Sequence, residues 1–165
     1  MSISVWDLAG QPHLRIAVIA GAAGLDRAIT WAHSSDLPEP WDWMSGGELL
    51  MKNGRTLAAG AKGQAALIEG LASAGAAGLV IGIDPDTPPV SPRAVALADQ
   101  LGLPVLTVPY SVGFIVLSRA VADALTSEES IRLAKAGRIY ATIRAGVTDS
   151  DPAAFVGRLE VELDC

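Results

Sequence analysis

Short apolar runs separated by polar turns recur along the first two-thirds of the chain. Ile16-Ala-Val-Ile19 precedes a glycine-bearing turn at Gly21–Gly24, and Ile29-Thr-Trp-Ala-His33 is rich in strand-forming residues. Glu48-Leu-Leu-Met51, Leu79-Val-Ile-Gly82 and Val105-Leu-Thr-Val108 follow, the last enclosed by Pro104 and Pro109. Runs this short and this apolar fit strands covered on both faces. Between them the period changes. Ala65, Ile68, Leu71 and Ala72 recur at helical spacing within Ala61–Ala74, and Gly75 can end that helix. Ser91-Pro92 reads as an N-cap followed by proline at the first helical position, and Gly102 closes that helix. The order strand, helix, strand, helix, strand over Glu48–Val108 predicts βαβ units with right-handed crossovers.

After Gly113 the pattern becomes that of a long helix. Phe114, Leu117, Val121 and Leu125 form one apolar stripe; Leu133, Ala136, Tyr140, Ile143 and Val147 form a second, out of phase with the first. Thr126 and Glu129 match a capping box, so either a new helix begins near Thr126 or one helix continues with a rotated face. Asp151-Pro152 opens a final helix, Ala153–Asp164, which reaches the last residue without a stop signal. That run-on points to a piece of a longer chain. The expected fold is α/β: a mixed, largely parallel sheet flanked by helices, then a long C-terminal helix and a short helical tail. The expected domains are 1–127 and a helical linker with the start of a truncated domain at 128–165.

Composition narrows the function. The chain has 165 residues, a mean hydropathy of +0.37 and a net charge of −6. No window supplies the ~18 apolar residues of a membrane span, and Met1–Asp7 lacks the basic and apolar regions of a secretory signal. One cysteine, Cys165, excludes an internal disulfide framework. A cytoplasmic protein is expected. Met1–Ser127 holds 7 basic and 11 acidic residues, Glu128–Cys165 holds 5 and 7, and neither has a basic cluster. Phosphate neutralisation needs such a cluster, so this stretch is a poor nucleic-acid binder.

Catalytic signatures are missing. His13 and His33 have no ligand partners at metal spacing beyond Asp36, three residues from His33. No phosphate loop, dinucleotide fingerprint or nucleophile elbow occurs. No enzyme, cofactor or metal is expected. The polar residues gather instead where strands end, which is where open α/β sheets hold ligands. Ser34, Ser35 and Asp36 follow the second run, and Lys52 and Asn53 the third; Tyr110 follows the last. Glu48 starts the third run. Trp41 and Trp43, with Gly46 and Gly47, could lie over that rim as a lid, whereas Trp31, alternating with Ile29, is expected in the core. Ser34, Ser35, Asp36, Trp41, Trp43, Gly47, Glu48, Lys52, Asn53 and Tyr110 are therefore the candidate ligand-binding residues.

The run from Trp31 through Trp41-Asp-Trp-Met-Ser-Gly-Gly-Glu-Leu-Leu50 to Gly54 resembles the signature of the PucR-like N-terminal domain of bacterial purine-catabolism-type transcription regulators. Ala20–Ile29, Ala74–Gly82, Leu101–Tyr110 and Phe114 fit the same pattern, and the likeness covers residues 3 to 127. The resemblance implies an effector-sensing domain that works as a homodimer, with DNA bound only by a further C-terminal domain not present here. The sequence departs from the family pattern where two threonines commonly precede the glycine; Lys52 and Asn53 stand there. The departure weighs against the purine-related effector that the resemblance implies; a cation and an amide at a pocket rim suit an anionic or carboxylated one. The layout is also similar to the N-terminal domain of Mur ligases, a likeness of fold alone. A dimerisation module without a small ligand is the alternative, motivated by the 3-4-3-4 stripe ending at Val147.

Overall fold

A computed structural model describes residues 3–146 and the isolated positions 156 and 161. The chain divides into two compact units, Met1–Leu125 and Thr126–Cys165.

The first unit is built on five strands: β1 (Ala17–Ala20), β2 (Trp31–Ser34), β3 (Glu48–Asn53), β4 (Gly78–Ile83) and β5 (Val105–Pro109). Their order across the sheet is β1-β5-β4-β3-β2. β2, β3, β4 and β5 are parallel to one another; β1 alone runs antiparallel, against β5. The mixed, largely parallel sheet read from the sequence is therefore the one observed. The expected βαβαβ order also holds. Helix α2 (Ala61–Ser73) joins β3 to β4, and α3 (Pro92–Leu101) joins β4 to β5.

Two-residue alternation along the strands sorts the core into two faces. Ala32, Leu49, Met51, Val80, Leu106 and Val108 pack on one side with Leu117 and Val121 of the long helix α4 (Phe114–Gly146). The short helix α1 (Val5–Ala9) adds Val5 and Leu8 to that side. Leu50, Leu79, Ile81 and Val105 pack on the other side with Leu67, Ile68 and Leu71 of α2 and Ala94 and Ala98 of α3. Gly21 takes a left-handed conformation (φ +69°) where a Cβ would lie 1.9 Å from the Leu103 carbonyl oxygen, so the turn after β1 admits no other residue without moving.

Local signals explain the helix ends. Ser91 Oγ accepts the Ala94 N–H at 3.2 Å, and Gly102 is left-handed (φ +57°). α1 carries a capping box between Ser4 and Asp7.

Two expectations change. Trp31 is 56% exposed and not in the core: β2 is an edge strand, and Trp31 lies on the face opposite buried Ala32. No new helix starts at Thr126; α4 continues through it, and Glu129 pairs with Arg132 instead of closing a capping box. The final helix expected over Ala153–Asp164, and Val147 of the second stripe, lie outside the described residues.

Candidate functional site

The carboxyl ends of β2, β3 and β4 are tied into one polar rim. Asp36 Oδ1 accepts the Asn53 N–H at 3.3 Å and the Thr56 hydroxyl at 2.6 Å. Asn53 Oδ1 accepts the Arg55 N–H at 3.0 Å. Arg55 then reaches β4: its Nε donates to Asp84 Oδ2 at 2.6 Å, and it also pairs with Asp86 at 3.2 Å. Thr87 Oγ1 donates to Asp84 Oδ1 at 3.1 Å. The hydrogen bond from Arg55, reinforced by the Asp86 N–H and the Thr87 hydroxyl, holds the Asp84 carboxyl below its ordinary range despite partial desolvation.

Beside this rim lies a cavity of about 350 Å³, lined by Asn53, Gly82, Tyr110, Val112, Gly113 and Phe114. Asn53 is the last residue of β3, and Gly82 lies on β4 in register with it. Tyr110 follows β5, and its N–H donates to the Ile83 carbonyl at 2.9 Å. Phe114 is the first residue of α4. The cavity therefore sits between the sheet's carboxyl edge and the start of the long helix, on the face that α4 covers. Gly82 matters for space: a Cβ there would meet the Phe114 ring at 3.1 Å.

The sequence-read candidates separate into groups. Ser34, Lys52 and Asn53 end parallel strands and Ser35, Asp36 and Tyr110 follow them, so all six share the carboxyl edge. Of these, Asn53 and Tyr110 line the cavity. Ser35 Oγ accepts the Leu37 N–H at 3.3 Å, and Ser34 is exposed on the edge strand. Lys52 is only 4% exposed, and its Nζ donates to the Leu37 carbonyl at 3.2 Å beneath the loop after β2. Burial draws its pKa below the usual lysine value, and neighbouring Asp36 opposes that.

Gly47 and Glu48 lie at the opposite, amino end. The Gly47 N–H donates to the Gly75 carbonyl, just before β4, at 2.8 Å. The Glu48 carboxylate accepts the Ser45 and Gly46 N–H groups, each at 2.7 Å, and so braces the turn that leads into its own strand. Gly46-Gly47 therefore cannot belong to a lid over the carboxyl rim. Trp41 is half-buried, packed on the α2 side of the sheet, where a Cβ on Gly70 would overlap its ring at 2.3 Å. Trp43 stands in solvent, 82% exposed.

Gly82, Val112, Gly113 and Phe114 were not legible as site residues. They are glycine and apolar positions with no chemical signature. The available signal was positional: Gly82 at a strand end, and Val112–Phe114 between Tyr110 and the helix.

Small ligands of α/β proteins sit at the carboxyl edge of the sheet, in cavities of this size with apolar walls and a few polar groups. The sheet places the first unit among the open α/β proteins. The chain belongs to the purine catabolism regulatory protein-like (PucR) family, whose pattern matches residues 7–125. It is 33% identical over 138 residues to the transcriptional activator PmfR of Paenarthrobacter nicotinovorans, a match covering 84% of this chain and 29% of that protein. The chain thus spans less than a third of that relative's length and represents a transcription-regulator domain of this family. Among the described residues no helix is long and apolar enough to cross a membrane.

Proposed function

We propose that this chain is the effector-sensing domain of a cytoplasmic transcription regulator, and that a small metabolite occupies the cavity between the sheet edge and α4. One observation carries the reading: Phe114, the first residue of α4, is itself part of the cavity wall, and Val112 and Gly113 leading into the helix line it too. A ligand seated there touches the first turn of a 33-residue helix directly. Because a ligand shifts an equilibrium only through its different affinity for the two states, a wall that is also the start of a helix gives binding a route to a distant domain. That domain, the DNA-binding part of the regulator, would lie in the chain beyond this segment. The long relative, named an activator of transcription, supports this organisation.

The lining favours a compact, partly flat ligand. Phe114, Val112 and the Tyr110 ring offer apolar surface; the Asn53 amide and the Tyr110 hydroxyl offer hydrogen bonds. Asn53 Oδ1 already accepts from Arg55, so the donor end of the amide is the one available to a ligand. Donors of this kind suit the carbonyl groups of purine breakdown products and the oxygens of carboxylated metabolites alike. The Lys52 ammonium, turned to the Leu37 carbonyl, is not needed for either. A thermal-shift screen with both classes tests the reading. A hit is expected to weaken in Asn53→Ala and Gly82→Ala; hits indifferent to both changes overturn this location.

A second reading concerns assembly. In the second unit Leu133, Tyr140 and Ile143 are exposed on α4 at the spacing that suits helix pairing. We infer that this stretch joins two copies into a homodimer. Sedimentation at micromolar concentration is expected to show a dimer that Leu133→Glu dissociates; a monomer in the parent chain removes the idea.

A further inference from the structure

The stretch 28–51 holds four carboxylates, Asp36, Glu39, Asp42 and Glu48, and no lysine or arginine. Two of the four are held by hydrogen bonds within the chain. Asp36 accepts from Asn53 and Thr56, and Glu48 from Ser45 and Gly46. The other two, Glu39 and Asp42, are exposed. In the chain they lie between Leu37 and Trp43, which are 53% and 82% exposed.

The backbone that carries these four side chains is held on every side. Pro40 is buried and Trp41 packs against Gly70. The Leu37 carbonyl accepts from Lys52, and the Met44 N–H closes the 3-10 turn Pro40–Trp43 onto the Trp41 carbonyl at 3.2 Å. The Trp43 indole, in water at the end of a fixed turn and next to Asp42, does little packing for this unit. Exposed tryptophan on a preorganised support is the residue type that dominates protein interfaces, because few rotamers are lost when it is covered.

We propose that Leu37, Glu39, Asp42 and Trp43 form a docking surface for a protein segment that presents arginine beside apolar side chains. A guanidinium can lie on the indole face while its N–H groups reach a carboxylate, and Leu37 takes the apolar neighbour. The charge excludes other occupants. A symmetric contact between two copies would set Glu39 and Asp42 against the same acids of the partner. Phosphate-bearing surfaces, nucleic acid or anionic lipid, are repelled by the same carboxylates. The proposal is independent of the cavity, which is lined by other residues.

The test uses the 165-residue chain and a fluorescently labelled amphipathic helical peptide with arginine on one face and leucine on the other. Anisotropy titrations are run at about 50 mM and about 300 mM salt, across which the Debye length falls to about two-fifths. Binding is expected to weaken with salt. It is expected to fall about tenfold in Trp43→Ala and in Glu39→Lys/Asp42→Lys, and to be weaker for a peptide with lysine in place of arginine. Trp6→Ala, which removes another exposed indole, leaves it unchanged. Equal affinity in the parent chain and both variants, or an equal loss in Trp6→Ala, overturns the proposal. So does self-association of the parent chain that Trp43→Ala abolishes, which would assign the surface to a second copy.

Discussion

The Phe114 ring lies against the bare backbone of Gly82, so close that a Cβ on Gly82 would come within 3.1 Å of the ring's Cζ. One residue is the last but one of the central strand β4; the other begins α4. Gly82→Ala therefore forces the ring, and the first turn of α4 with it, to give by a few tenths of an ångström. We expect a stability loss of about 1 kcal/mol, at the lower end for overpacking because the ring is only half-buried. Urea denaturation measures it; a stabilised variant would mean that the ring has room to spare.

A tighter contact occurs on the other face, where Gly70 of α2 meets Trp41. Gly70→Ala would place a methyl 2.3 Å from the indole, and the ring cannot stay where it is. Helix propensity favours alanine by about 1 kcal/mol, but overpacking costs about 1–3 kcal/mol, so a net loss is expected. Trp41 emission should shift to the red in the folded variant as the ring is displaced toward water. Unchanged emission with raised stability would contradict the contact.

Lys52 makes a prediction at alkaline pH. Burial lowers its pKa in the folded chain below the usual 10.5. Between the folded and unfolded values the unfolded chain binds the extra proton, so stability contributed at this site rises with pH across that window. Lys52→Met keeps the apolar stem and removes the titration. Its stability difference from the parent should move in the parent's favour as pH climbs toward 10.5, a trend read from paired urea midpoints. Parallel curves would show that the ammonium is solvated when folded.

Glu48 predicts the acid arm. Burial opposes its ionisation, yet the N–H groups of Ser45, Glu48 itself and Gly46, with His33 nearby, outweigh burial and hold the pKa below 4.5. A depressed carboxylate stabilises the fold above its unfolded pKa and loses that contribution as pH falls through the folded one. Glu48→Ala should cost about 1–2 kcal/mol at neutral pH through two lost charge-assisted hydrogen bonds. The gap to the parent should close on acidification below the ordinary glutamate range. A gap independent of pH would assign the loss to packing alone.

Much of the architecture was written in local pattern. Ser91-Pro92 and Gly102 mark both ends of α3, and three apolar runs separated by two helical periods identify the parallel core. Pattern could not reveal that β1 runs antiparallel, since pairing direction depends on contacts distant in sequence. Nor could it show that β2 is an edge, which is why Trp31 was expected inside. α1 has only five residues, too few for a period, although its Ser4–Asp7 box was present in the sequence. The site was half legible for a similar reason. Polar residues at strand ends announced Asn53 and Tyr110, whereas Gly82 and Phe114 contribute shape, which carries no chemical signature. Lys52 looked like a rim cation because strand position alone does not say which face a side chain takes; alternation with Leu50 turns it under the loop.

The function proposed for this chain requires an effector in the cavity at the start of α4. The most direct measurement is a thermal-shift screen of purine breakdown products and carboxylated metabolites, run in parallel on the parent chain and on Gly82→Ala. A ligand at ~100 times its dissociation constant should stabilise the parent by ~2.7 kcal/mol, and Gly82→Ala is expected to remove most of that shift while remaining folded. A ligand that stabilises both proteins equally would place the effector elsewhere and contradict the account.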